Sequence, residues 1–257
     1  MALCRKGTNM HNIKRIIRKT TMNTPKSQVA ERLMLNEAVN FEKECIFIAV
    51  PKTGTTSIRS QLKQQGAPLI ANPHLSIVQV RDSLYVYFLK QALGQNKSFP
   101  TEFICLDADL HSRAKEVFDR FFKFSAVRNP WARTVSLYSR LEGVQTRDKM
   151  SFDEFCKNHM YASDTCWHPT LHQNQLDWLC DENGQCIMDY VYRLEDFDQA
   201  INEIAERTDG RIQLVSKKAN LNPNSGSRSY RDLYTEEARK LIAKRFQKDI
   251  EFFKYTF

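Results

Sequence analysis

Several things are missing from this 257-residue chain, and each absence narrows what the protein can do. No apolar run approaches the roughly 18 residues needed to cross a bilayer, so no membrane-spanning helix is expected. The seven cysteines, at positions 4, 45, 105, 156, 166, 180 and 186, include no CxxC pair, which argues against a zinc site. An odd count without a secretory signal fits thiols that stay mostly reduced. There is no internal repeat and no long low-complexity segment. The nucleotide-binding pattern GxxxxGK followed by Ser or Thr does not occur. Acidic residues are absent from the first thirty positions, where Arg5, Lys6, Lys14, Arg15, Arg18, Lys19 and Lys26 stand alone.

That last absence explains the charge. A formal net charge of +8 suggests a nucleic-acid partner. Setting the seven N-terminal bases aside leaves 31 of the 38 Lys and Arg residues against 30 acids, so the body is nearly neutral. It shows no basic–aromatic platform, and no nucleic-acid partner is expected. The N-terminal stretch lacks the apolar core of a secretory signal. It reads as a disordered basic arm, although a basic, hydroxylated, acid-poor stretch also resembles an organelle transit peptide. The expected organisation is a flexible basic leader over 1–40 and one domain over 41–257.

Strand and helix patterns alternate along that domain. Residues 45–50 read as a buried strand, and Ser57 to Gln65 as a helix with Ile58 and Leu62 on one face. A buried helix is expected over 83–93, a short strand over 102–106, a helix over 111–120 and a strand over 122–127. A further helix starts at Pro130 with Asn129 as its cap. A strand over 186–192 and helices over 196–207 and 235–253 complete the pattern. Cys180 and Cys186 flank DENGQ, whose Asn183–Gly184 is a hairpin-turn signal, so the two can face each other across strands. The alternation predicts an α/β fold with a parallel sheet covered by helices.

Two stretches carry chemistry. In CIFIAVPKTGTTSIRS (45–60) a buried strand runs into a short loop that opens a helix. Free N–H groups of a helix's first turn point at an anion, and the helix dipole favours negative charge there. Gly54 allows close backbone approach, Lys52 adds a full positive charge, and Thr53, Thr55, Thr56 and Ser57 add hydroxyls. The bland alternative is a hydroxyl-capped helix start. In FSAVRNPWARTVSLYSR (124–140) a second strand ends at Arg128, and Ser136 follows eight residues later in a helix. Ligands of parallel sheets bind beyond the carboxyl ends of the strands, so the two motifs suggest one ligand with two separated anionic groups. Arg133 is a third candidate, although an arginine on a helix is usually a solvated charge. Trp131 and Tyr138, at helical spacing, read as core.

Together, PKTGTTS and RNPWARTVSLY resemble the sulfotransferases that use 3′-phosphoadenosine 5′-phosphosulfate (PAPS), in particular the carbohydrate sulfotransferase branch with its bacterial relatives. The ending SYRDLYTEEARKLIAKRFQKDIEFFKYTF and the segment DENGQCIMDYVYRLEDFDQAINEI are similar to that family as well, so the likeness covers about residues 45–257. The resemblance implies a P-loop-like central parallel sheet in a single sulfotransferase domain. It implies that PKTGTTS cradles the 5′-phosphosulfate and that Arg128 and Ser136 hold the 3′-phosphate. Arg228, in the loop SGSRSY, would close over the same phosphate, with a flexible surface turn as the alternative. Arg193 in YRLEDF recurs in relatives, with no role derivable from the residues. Two departures stand out: Ala49 replaces a usual histidine, and Thr55 a second glycine.

Such chemistry moves a group between an attacking and a leaving oxygen in line, so the protein mainly positions and stabilises charge. Lys52 would neutralise the leaving oxygen, and no metal is required. The acceptor hydroxyl needs a base, and histidine suits the task. Six are present: His11, His74, His111, His159, His168 and His172. His111, opening the helix before the Arg128 strand, matches the position of the base in carbohydrate 2-O-sulfotransferases. His168 and His172 fall where relatives contact substrate, and His74 is a further candidate. Asp107 and Asp109 read as capping residues.

The expected activity is therefore transfer of a sulfuryl group from PAPS to a hydroxyl of a carbohydrate or glycoconjugate, releasing PAP. The enzyme alternative is a nucleotide kinase with a degenerate phosphate loop, which lacks an obvious acidic magnesium motif. The others are a nucleic-acid-binding protein and a sulfotransferase-like protein that binds the nucleotide without turnover. A cytoplasmic location is expected, with the Golgi lumen or an organelle as the alternative. The acceptor and the oligomeric state are not encoded in any motif.

Overall fold

The computed structural model describes residues 33–93, 103–139, 150–158, 173–216 and 229–257, with residues 103–106 as backbone only. Its centre is a four-stranded sheet. β1 (Leu33–Met34) lies outside it; β2 (Val39–Asn40), β3 (Cys45–Ile48), β5 (Phe122–Val127) and β6 (Tyr190–Arg193) form it, in the order β2-β3-β5-β6. β2 is antiparallel to β3, and β3, β5 and β6 are parallel. β1 pairs in parallel with β4 (Ala67–Pro68) as a separate two-stranded ribbon. Residues 33–40, expected in a flexible leader, thus carry strands, and Leu35 and Val39 are buried.

β3 is apolar throughout because both of its faces are covered. Alternation sends Ile46, Ile48 and Val50 into one core and Cys45, Phe47 and Ala49 into the other. The second core is closed by α1 (Thr55–Gln61) and α6 (Phe197–Arg207) through Ile58, Ala200 and Ile204. The first is covered by α2 (Ile77–Leu93), α3 (Phe103–Arg120), α4 (Pro130–Tyr138), α5 (Phe152–Lys157) and α7 (Glu236–Arg245). α8 (Gln247–Phe253) packs beside α7. The result is a helix–sheet–helix sandwich with its strand ends aligned by register: Ile48 opposite Ser125, and Val127 opposite Arg193.

Several expected elements shift. The strand expected over 102–106 is the first turn of α3; Leu110, Ala114 and Val117 continue the helical spacing that a short apolar window conceals. α2 begins at Ile77 rather than 83, because Ser76 and Gln79 form a reciprocal capping box: Gln79 N donates to Ser76 Oγ at 3.3 Å, and Ser76 N to Gln79 Oε1 at 2.9 Å. The helix expected over 57–65 spans 55–61. The strand expected over 186–192 pairs only from Tyr190, because Cys186 is already bridged to Cys180 in an antiparallel hairpin. Both cysteines there are free thiols, and Gly184 turns the hairpin at φ +78°. The long C-terminal helix is two helices, broken where the buried Phe246 turns inward. Strand 122–127 and the Asn129-capped helix stand as expected. Among the described residues no helix is long and apolar enough to cross a membrane.

Candidate active site

The loop leaving β3 is built from unusual backbone. Lys52 and Gly54 both take the left-handed region, at φ 69° and 74°. For the lysine this conformation costs about 1–3 kcal/mol, which the surrounding contacts must hold in place. Gly54 is required twice over: besides its φ, an added Cβ would lie 2.6 Å from Leu194 Cδ1, beyond the end of β6. Gly54 is the residue before α1, and no side chain caps that helix. The first-turn N–H groups therefore face outward without a protein acceptor from a cap.

The hydroxyls divide. Buried Thr53 donates its only hydroxyl proton to Val50 O at 2.9 Å, so its side chain shapes the loop and is not a donor to an anion. Thr55 is buried, Thr56 is exposed, and Ser57 Oγ is a buried atom with no hydrogen-bond partner. Such an orphan costs about 1–3 kcal/mol in the protein as it stands.

The second strand end is joined to the first. Arg133, expected in solvent, is 4% exposed. Its Nε donates to Pro51 O at 3.0 Å and its Nη1 to Gln173 O at 3.4 Å, while the guanidinium lies 5.7 Å from the Phe246 ring centre. α4 thus grips the loop through an arginine whose helical position alone suggests a solvated charge. Arg128 Nη1 makes a long 3.5 Å contact with Lys52 O. Burial lowers the pKa of Arg128, with neighbouring Glu195 and Tyr255 partly opposing the shift. Ser136 is half-buried on α4, three residues after Arg133 and on the same helical face.

Arg128 is held by residues that pattern reading did not single out. Gln175 clamps its backbone on both sides, accepting from Arg128 N at 2.9 Å and donating to Arg128 O at 2.8 Å. Gln175 is in turn fixed by the fully buried Asp249, which accepts from its N, its Nε2 and from Leu176 N at 2.8, 3.1 and 2.9 Å. Burial raises the pKa of Asp249 despite those donors. Glu195 accepts from Asn129 N at 2.8 Å, and Asn129 Nδ2 donates to Thr256 O at 2.8 Å. Arg193 gains a role here: it donates to Phe253 O and lies 5.0 Å from the Tyr255 ring centre, closing the end of α8. The sequence signals for these residues are slight: acids directly after a strand in RLED, and an acid between Phe246 and Ile250 on an apolar helix.

The histidines separate. His111 is mostly exposed on α3, 3.8 Å from Asp107 and edge-on to Tyr85 at 4.2 Å. His74 is half-buried, and its Nδ1 lies 2.6 Å from Ala49 O at the exit of β3. His168, His172 and Arg228 lie outside the described residues. Among the described residues no three His, Cys, Asp or Glu side chains gather as a metal site would require. A profile of the sulfotransferase family matches residues 36–256. Comparison with curated proteins and with solved structures gives no match.

Proposed function

The chain belongs to the sulfotransferase family, and from that premise we propose that it moves the sulfuryl group of PAPS to a hydroxyl of a carbohydrate or glycoconjugate. The observation that carries the reading is the joining of two strand ends: Arg133 fastens the PKTGTTS loop to the helix that follows Arg128. The residues fit a donor with two anionic ends. The uncapped start of α1 with the orphaned Ser57 Oγ suits one, and the half-buried Arg128 guanidinium with Ser136 suits the other.

Bound there, PAPS supplies an activated sulfuryl group whose bond to a phosphate oxygen breaks on transfer. The chain's own part is positioning and charge. Lys52, whose backbone takes a left-handed turn in the loop, would offset charge on the departing oxygen. Loop N–H groups and Ser57 would orient the 5′ end, and Arg128 and Ser136 the 3′ end, with Arg228, outside the described residues, as a further candidate for that phosphate. A histidine takes the acceptor's proton.

Calorimetric titration with PAP, ADP and ATP tests this reading. PAP is expected to bind clearly tighter than ADP, with the preference abolished in Arg128→Ala. Equal binding of ADP or ATP would sink the 3′-phosphate reading and favour a kinase-like activity.

A further inference from the structure

We propose that Gln175 and Asp249 are positioning residues that fix the backbone of Arg128 for the donor's 3′-phosphate and so set a preference for 3′-phosphorylated nucleotides; this rests on the sulfuryl-transfer reading above. The device sits where the sheet runs out. Val127, opposite Arg193, is the last residue of β5, and Arg128 comes next, beyond the strand. One side chain takes both of its main-chain polar groups. Arg128 N donates to Gln175 Oε1 at 2.9 Å, and Gln175 Nε2 donates to Arg128 O at 2.8 Å. A primary amide offers the same acceptor and donor as a neighbouring peptide, so Gln175 extends the hydrogen bonding of the strand by one residue. Asn129 N, next along, donates to Glu195 Oε1 at 2.8 Å. The backbone that carries the Arg128 side chain is thus held on both sides of its Cα.

The amide works in one orientation. Turned over, it would set its oxygen against Arg128 O and its nitrogen against Arg128 N. Asp249 disfavours that arrangement. Its Oδ2 accepts from Gln175 Nε2 at 3.1 Å and from Gln175 N at 2.8 Å, and its Oδ1 accepts from Leu176 N at 2.9 Å. An ionised carboxylate accepts and never donates, so it draws the amide nitrogen to its side. Gln175 and Asp249 are both fully buried, so their effect on a ligand runs through Arg128. The segment also reaches the other strand end. Gln173 O accepts from Arg133 Nη1 at 3.4 Å, and Arg133 Nε donates to Pro51 O at 3.0 Å. Residues 173–176 therefore tie Arg128 to the loop that follows β3.

The consequence is a specificity. With its backbone fixed, Arg128 has only its side-chain torsions left to order when an anion binds, and less ordering means tighter binding. Adenosine 5′-phosphate (AMP) lacks the 3′-phosphate of PAP and makes no use of the arrangement. Loss of the clamp should weaken PAP and spare AMP, whereas general loosening of the fold would weaken both.

Gln175→Met is the discriminating variant, because methionine keeps the length of the side chain and loses the amide. Calorimetry reads PAP and AMP affinity, and thermal melting reads folding. PAP affinity should fall about 10-fold with AMP affinity unchanged, the lower end of what a hydrogen bond to a charged group is worth. In an Arg128→Ala background, Gln175→Met should weaken PAP no further, because the side chain it serves is gone. Asp249→Asn keeps the size and one accepting oxygen, so a smaller loss of the same kind is expected; it carries the test where Gln175→Met does not fold. Equal weakening of PAP and AMP, or an undiminished loss in the Arg128→Ala background, would overturn the proposal. Unfolding of both variants would make the pair a folding element and overturn it as well. A wild type that binds AMP as tightly as PAP overturns the donor reading, and this proposal with it; a wild-type preference for PAP that survives in folded Gln175→Met overturns this proposal alone.

Discussion

The two strand-to-helix junctions that meet at this site are built in opposite ways. At the β5–α4 junction the backbone groups are engaged. Asn129 caps α4 through Trp131 N and Ala132 N and donates from its side chain to Thr256 O, Pro130 occupies the first helical position, and Glu195 and Gln175 hold the flanking backbone. At the β3–α1 junction the backbone is strained at Lys52, no side chain caps the helix, and Ser57 Oγ has no partner. One junction is a finished support and the other is an unfinished one. A ligand can gain most from groups the protein leaves unsatisfied, provided a rigid neighbour keeps them in place. Arg133 supplies that link, reaching from the finished junction to Pro51 of the unfinished one.

The comparison is broken most severely at Gly54. Gly54→Ala forces a Cβ to within 2.6 Å of Leu194 Cδ1 and puts alanine in a left-handed conformation. A stability loss of about 2 kcal/mol or more is expected, together with loss of PAP binding, read by thermal melting and calorimetry. Adding Leu194→Ala should recover part of the stability, because only the overlap is relieved.

A paired substitution sharpens the contrast. Asn129→Ala removes a cap worth about 0.5–2 kcal/mol and should lower Tm by a few degrees. Ser57→Ala deletes a buried hydroxyl with no partner in the protein. It should raise Tm, because the unsatisfied group is relieved, while weakening PAP about 10- to 100-fold, the value of a hydrogen bond to a charged group. Equal stability losses at both positions would erase the distinction between the junctions.

The smallest effect is a pH dependence behind the finished junction. Burial raises the folded pKa of Asp249 above its ordinary 3.8. Between the unfolded and folded values the native state binds the extra proton, so this group's contribution to stability falls as pH rises through that window. The Tm difference between wild type and Asp249→Asn should therefore be larger near pH 4 than at pH 7. A difference that widens toward neutral pH would contradict the assigned direction.

What can be read ahead of the fold follows from local physics. CIFI and FKFSAV declare buried strands because both faces are apolar, and Asn129–Pro130 declares a helix start through cap and ring geometry. The Ser76–Gln79 box is equally local, yet the apolar pattern that set the expected start at 83 passes over it, and the structure begins α2 at Ile77. Arg133 is different. Its place on a helix after a strand suggests solvent, yet Pro51, Gln173 and Phe246 enclose it from three other parts of the chain. Glu195, Gln175 and Asp249 have the same character, since each acts through partners 47 to 74 residues away.

By itself the sequence determines the α/β alternation, the two strands that run straight into helices and the family to which they belong, because apolar periodicity, caps and motif spacing act over a few residues. The tertiary structure alone decides which polar groups are consumed and which remain. Thr53 and Ser57 are neighbours with the same hydroxyl chemistry. One is spent on Val50 O and the other is left open, and only the folded path of the backbone makes that choice. His74 and His111 are likewise equal as residues. A single carbonyl at the end of β3 orients one at the rim of the sheet, while the other faces solvent on a helix.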